Sequence, residues 1–271
     1  MSPTLRSTAS PASVEVRARV RPGRWRRAGI AVAGLLACAL PTMFTVNITR
    51  MLLVGELSEH RFHQLTGQGL LLFALWLGGL VPLLRAGWSG ARPSATAGLL
   101  HVVFVVTGCV CSLAAPGGGA PFLTGVIAVT GALVWLAIPV RPRLRLEVRP
   151  HPLLTPVALA AAAVATPYVL DQVALQNAAT GHHAQNPHFF DMAWLVSTLV
   201  VLGVAAAVLP AARVLAVLAG AGLAWTGSIG LVLDADRGAM GAAVAVGVIL
   251  AVSAGLLAER RETPTAGRSL L

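Results

Sequence analysis

The sequence predicts an all-α integral membrane protein with eight transmembrane helices. Of its 271 residues, 56% are hydrophobic and only 11% are charged, whereas soluble globular domains carry about 25% charged residues. The mean hydropathy of +0.77 comes from runs of about 20 apolar residues, the length that crosses a hydrocarbon core about 30 Å thick. The lipid bilayer is therefore the partner that the composition predicts.

Eight apolar runs follow one another along the chain. Residues 1–28 come first and lack apolar periodicity, so we expect a disordered basic cytoplasmic arm that lies near anionic headgroups. The predicted helices then fall near residues 29–48, 68–84, 97–115, 121–140, 153–173, 189–209, 212–233 and 238–258. Proline, glycine and charged residues mark most of the breaks between them, at residues 93–96, 116–121 and 142–152, at Pro187 and Pro210, and at residues 234–238.

The distribution of arginine predicts the orientation. All 20 basic residues are arginine, which excludes lysine Schiff-base chemistry. With the N-terminus inside, 17 of them lie in cytoplasmic segments and only Arg50, Arg61 and Arg237 lie outside. The positive-inside rule then places both termini in the cytoplasm of a cell-membrane protein. The net charge is +10, but the basic residues lie between apolar runs and are not gathered on one folded domain. We therefore expect no nucleic-acid partner.

An internal repeat is indicated by matching landmarks. A proline, a histidine and a second proline recur with similar spacing, at Pro41, His63 and Pro82 and again at Pro167, His188 and Pro210. This pattern predicts two four-helix halves of parallel orientation, residues 29–140 and 153–258, because four is an even number of spans. A basic cytoplasmic linker, 141–152, joins the halves, and a cytoplasmic tail, 259–271, ends the chain.

Five of the seven histidines lie in the predicted outer segments, in matching positions of the two halves. One group lies between the first and second helices and the other between the fifth and sixth. Since both segments lie at the same membrane face, we expect the two groups to share one site. The candidate metal ligands are His60, His63, His182, His183, His188, Glu56 and Asp191.

Helical spacing supports the first group as a site. If helix extends through residues 54–67, Glu56, His60 and His63 have the spacing i, i+4, i+7 and form one stripe, with Glu59 four residues before His63. Such a stripe places imidazole nitrogens around an ion or lets a carboxylate orient a histidine.

In the second group, Asn186 is predicted as an N-cap and Pro187 as the first residue of the sixth helix. His188 and Asp191 then lie one turn apart at its outer end. Imidazole and carboxylate suit zinc, copper or iron, and histidine can also ligate haem. The sequence therefore predicts a site that handles a transition metal or haem, in an enzyme or an insertion factor.

Asp171 supports an alternative function. It lies near the outer end of the fifth helix, where an acid is expected to face the bundle interior or a watery cavity and to carry a proton or orient a ligand. A proton-coupled transporter of small solutes would use Asp171 and the outer histidines as protonation sites. A third possibility is a structural membrane protein whose histidines contact only water or phosphate. Substrate, reaction and oligomeric state stay open at this point.

Overall fold

The fold is seen in a computed structural model that describes residues 22–55, 60–144, 146–233 and 237–262. Within these residues, eight helices are long and apolar enough to cross a membrane, and none of the residues lies in a β-strand. The prediction of an all-α polytopic membrane protein is confirmed.

The eight long helices are labelled α1 to α8 in chain order. Their bounds are Arg24–Val54 (α1), Arg61–Ser89 (α2), Ala95–Ala114 (α3), Ala120–Ala137 (α4), Leu154–Ala178 (α5), His188–Val208 (α6), Leu215–Val232 (α7) and Arg237–Glu262 (α8). A short helix, Gly181–Gln185, connects α5 to α6, and a 3₁₀ turn, Pro210–Ala212, connects α6 to α7.

Each half forms a ring of four helices. In the first half, α1 and α3 each pack against both α2 and α4, and in the second half α5 and α7 each pack against both α6 and α8. The halves meet through α2 and α6, with further contacts from α3 to α6 and from α2 to α7. In a two-fold repeat α2 corresponds to α6 and α3 to α7, so the contact of α3 with α6 corresponds to that of α7 with α2. Both contacts are present. The repeat itself stays a prediction, to be tested by superposing the halves.

A hydrogen bond from a tryptophan side chain replaces the backbone hydrogen bond that is lost at the proline inside α1. Pro41 has no N–H group, so the carbonyl of Ala37 one turn earlier loses its helical donor. The indole N–H of Trp76, on α2, donates to that carbonyl oxygen at 2.8 Å. The bond fixes α1 against α2 and supplies a donor to a carbonyl that the proline leaves without its helical partner.

A second tryptophan joins the halves. The indole of Trp194, on α6, donates to the carbonyl oxygen of Phe104, on α3, at 2.9 Å. Gly108 allows this approach, because a Cβ atom there would lie 2.5 Å from the indole. Below it, the buried hydroxyls of Thr107 and Thr198 lie 2.7 Å apart. These contacts set the position of α6, whose first turn carries part of the candidate site.

The chain ends and linker differ in part from expectation. Residues 24–28 are the first turns of α1 and not disordered; residues 1–21 lie outside the described part of the chain. The described residues of the linker lie in no helix or strand. The N–H groups of Arg149 and His151 donate to the carbonyls of Val208 and Ala207 at the end of α6. Of the predicted tail, residues 259–262 continue α8, and residues 263–271 are not described.

Candidate metal centre

Five histidines come together at one end of the bundle. His60 directly precedes α2, His63 lies in its first turn, His182 and His183 lie on the short helix, and His188 is the first residue of α6. We call these five residues the histidine cluster. Its ring centroids lie 4.7 Å apart between His60 and His188 and 4.8 Å apart between His60 and His182. Both halves of the chain therefore contribute, and the expected meeting of the two groups is observed.

Three members of the cluster have the closest nitrogens. One ring nitrogen from each of His60, His182 and His188 lies within 4.8 Å of the other two. The Nε2 atoms of His182 and His188 are 3.3 Å apart. Ligands about 2.0–2.1 Å from a tetrahedral zinc ion lie about 3.4 Å from one another, so this pair already has the required separation. The same separation allows a hydrogen bond between the two rings, with the donor set by their tautomers.

His63 and His183 surround this group of three. The His183 ring centroid lies 5.7, 5.7 and 5.6 Å from those of His60, His182 and His188, and that of His63 lies 5.5 Å from that of His188. Among the described residues, the Nδ1 atoms of His63, His183 and His188 are buried without a hydrogen-bond partner. Such atoms are costly unless a ligand or water satisfies them. Two further imidazoles are thus near enough to complete the coordination of an ion.

Gln176, near the end of α5, holds the histidine-bearing segments together. Its side chain is 3% exposed; the amide Nε2 donates to the carbonyl oxygen of His183 at 3.0 Å, and Oε1 accepts from the N–H of Phe190 at 3.2 Å. The second bond satisfies one of the open N–H groups in the first turn of α6. A single buried amide therefore links α5, the short helix and α6.

The turn between α3 and α4 packs against the start of α6. Gly118 has φ +62°, and a Cβ atom there would lie 2.6 Å from the carbonyl carbon of Asn186. Its left-handed backbone and its closeness to Asn186 both require glycine. The turn thereby supports the backbone directly before His188.

Asp191 lies beneath the cluster, between α6 and α2. It is one turn beyond His188 on α6 and is 2% exposed. The side chain of Gln68, on α2, hydrogen-bonds to its carboxyl group, whereas its Oδ1 atom has no partner among the described residues. Asp191 is not among the residues whose potential ligand atoms lie within 4.8 Å of one another, which are His60, His182 and His188. The expectation that it is a direct ligand therefore stays a prediction.

Several predicted details of the site differ in the structure. Helix does not continue from α1 into the first histidine group, because Gly55 ends α1 with φ 75° and its N–H bonds back to Met51. Glu56 and Glu59 lie outside the described residues. Helix α6 begins at His188 and not at Pro187, which occupies the N-cap position.

Asn186 does not cap α6 with its side chain. Its amide instead donates to the carbonyl oxygen of His182 at 3.0 Å, within the histidine-bearing segment.

Asp171 is exposed on α5 and does not face the bundle interior, which was one of the two positions expected for it. Gln172 and Gln176, four residues apart on another face of the same helix, are the buried polar residues there. Sequence reasoning missed Gln68 and Gln176 as site residues. Their signal was a glutamine within an apolar helical run, which is costly in lipid unless it has a partner.

Comparison with known proteins gives no relative: no protein-family model, no curated protein and no solved structure matches this chain.

Proposed function

We propose that this polytopic membrane protein binds a transition-metal ion at the histidine cluster. The observation that carries the proposal is the convergence of His60, His182 and His188, from both halves of the chain, with nitrogens within 4.8 Å of one another. These residues would be the primary ligands, and His63 or His183 would complete the coordination. Glu56 remains a further candidate ligand by its position in the sequence.

The donor set favours zinc, copper or iron. Imidazole nitrogen suits these ions, whereas magnesium and calcium prefer oxygen ligands. A single ion fits better than a haem, because His60 stacks face to face with His182 and His188 at 4.8 and 4.7 Å. Two histidines that ligate a haem lie on opposite faces of the macrocycle, whereas these rings lie side by side in one stack.

The exposure of the ligands favours an exchangeable ion. His60 and His188 are buried, whereas His182 is exposed, so an ion can reach the site from the water at this end of the bundle. The arginine distribution supports an extracytoplasmic position for this end, in a cell-membrane protein with both termini in the cytoplasm. A site of this kind suits an insertion factor that acquires and delivers a metal, or an enzyme that uses one.

The proton-coupled transporter remains the second candidate. Buried Asp191 and the unpartnered imidazole nitrogens support it, whereas the exposed position of Asp171 removes one of its expected protonation sites from the interior. The third candidate is a structural membrane protein without a functional site.

Metal content of the purified protein tests the proposal. The full chain is expressed in medium with zinc, copper and iron, purified in detergent without chelators, and analysed by inductively coupled plasma mass spectrometry. We expect about one transition-metal ion per chain, and its loss in the combined variant His60→Ala, His182→Ala, His188→Ala.

The matched control is His151→Ala, which removes an imidazole from the linker and leaves the histidine cluster unchanged. It should retain the metal. A wild-type protein that is free of metal and does not take up added Zn²⁺, Cu²⁺ or Fe²⁺ would reject the proposal and leave the transporter and the structural protein as the candidates.

A further inference from the structure

The acid beneath the cluster has no role in the ligand set proposed above. Within the described residues whose side chains are placed, the acids are Glu147, Asp171 and Asp191, and only Asp191 is buried. A buried carboxyl group in a membrane-spanning helix is costly and needs a compensating partner. Gln68 supplies one hydrogen bond, but the Oδ1 atom has none.

The surroundings of Asp191 hold its carboxyl group in place. Helix α2 passes close to α6 at Gly67, where a Cβ atom would lie 3.2 Å from the Cβ atom of Asp191 and 3.3 Å from the sulfur of Met192. The hydroxyl oxygen of Thr66, the residue before Gly67, lies 3.1 Å from the same sulfur. The acid is therefore enclosed between α2 and α6 at a fixed depth, one helical turn from the cluster.

The matching unpartnered donor lies one turn away on the same helix. The Nε2 atom of His188 faces His182, so Nδ1 is the ring nitrogen left over when Nε2 binds an ion. That Nδ1 atom is buried and has no partner among the described residues. Residues three apart on a helix lie on the same face, and histidines that bind metals commonly donate their second N–H to a carboxylate.

We infer that Asp191 is a positioning residue for the metal centre: when Nε2 of His188 binds an ion, the Nδ1–H group of that ring donates to the Asp191 carboxylate, which orients Nε2 toward the ion. In this structure the two atoms, Nδ1 of His188 and Oδ1 of Asp191, are both still without a partner among the described residues. Gln68 fixes the carboxylate from the side of α2. The inference rests on the proposed metal site. Asp191 would also act through its charge. Neutral imidazole ligands do not offset the charge of a divalent ion, and a carboxylate one helical turn away offsets part of it.

Cobalt binding by the purified full chain tests this role. Asp191→Asn retains the shape of the side chain but removes its charge. We expect the dissociation constant for Co²⁺, measured by competition with a chelator, to rise about 10- to 100-fold. The visible ligand-field bands of bound Co²⁺ should also shift, because His188 becomes a weaker and less well oriented donor. A purely structural role for Asp191 would lower the fraction of folded protein and leave the bands of the bound fraction unchanged.

The matched control is Asp171→Asn, which removes an exposed acid from another spanning helix and should retain both the affinity and the spectrum. Gln68→Leu is the second variant and should weaken binding with a band shift in the same direction. It carries the test if Asp191→Asn does not fold. If Asp191→Asn folds and retains the wild-type affinity and spectrum, the inference is overturned. If Asp191→Asn does not fold, the same result in Gln68→Leu overturns it. A wild-type protein that binds no Co²⁺ would instead indicate failure of the proposed metal site.

Discussion

Replacement of Gln176 by leucine should disrupt the metal site without touching a ligand. The change retains a similar volume on α5 but removes the donor to the His183 carbonyl and the acceptor for the Phe190 N–H, bonds of 3.0 and 3.2 Å. The segment that carries His182 and His183 then loses its side-chain hydrogen bond to α5, and the N–H of Phe190 in the first turn of α6 loses its acceptor. We therefore expect the cluster to become less ordered.

The magnitude follows from the two lost bonds. A buried polar group left without its partner costs about 1–3 kcal/mol, and this segment lies near water, which can rehydrate part of it. A total of about 2 kcal/mol corresponds to about a 30-fold loss in affinity, because about 1.4 kcal/mol is tenfold. The assay is Zn²⁺ competition between the purified protein and a chromophoric chelator.

The control for Gln176→Leu is Gln185→Leu. Gln185 is exposed on the short helix itself, so its replacement makes the same chemical change without removing a buried bond and should leave the affinity unchanged. If Gln176→Leu folds and binds Zn²⁺ within about twofold of wild type, the buried amide does not position the histidines and our account of the segment is wrong.

Three further predictions test other parts of the structure. Zn²⁺ affinity should fall as the pH is lowered, because protons compete with the ion for the imidazole nitrogens; titration at fixed Zn²⁺ measures this, and pH-independent binding would exclude histidine ligands. Gly108→Ala should lower the melting temperature by overpacking, at a cost of about 1–3 kcal/mol, since its Cβ would lie 2.5 Å from Trp194; Gly125→Ala, with nothing within 4 Å, should not. In whole cells, a thiol reagent that does not cross membranes should label Gln185→Cys and not Arg145→Cys, and the reverse would place the cluster in the cytoplasm.

The helices and the meeting of the histidines were accessible from the sequence for simple physical reasons. A span of lipid needs a run of about 20 apolar residues, so the eight helices are visible in composition alone. Even numbers of spans return the chain to the same face, so the segments that carry His63 and His188 had to lie at one end of the bundle.

What the sequence concealed depends on local backbone geometry and on helix rotation. Gly55 ends α1 by taking a left-handed conformation, which no apolar pattern reveals. Asp171 and Gln172 are adjacent in sequence, yet only Gln172 is buried, because neighbouring residues on a helix point about 100° apart and the rotation of α5 is set by its packing.

The same limit applies to the glutamines. Gln176 became recognisable as a positioning residue only when the carbonyl of His183 and the N–H of Phe190 were seen to meet its amide. Long-range backbone partners of this kind leave no spacing in the sequence from which they can be inferred.

X-ray absorption spectroscopy of the metal-loaded protein tests the central claim most directly. The extended fine structure of a zinc- or copper-loaded sample should fit three or four imidazole nitrogens about 2.0–2.1 Å from the ion, with the multiple-scattering features of histidine rings. The variant His60→Ala should lose one imidazole from the fit, because the site draws ligands from both halves of the chain. A bound ion whose shell contains only oxygen or sulfur, or a His60→Ala spectrum identical to that of the wild type, would contradict the account.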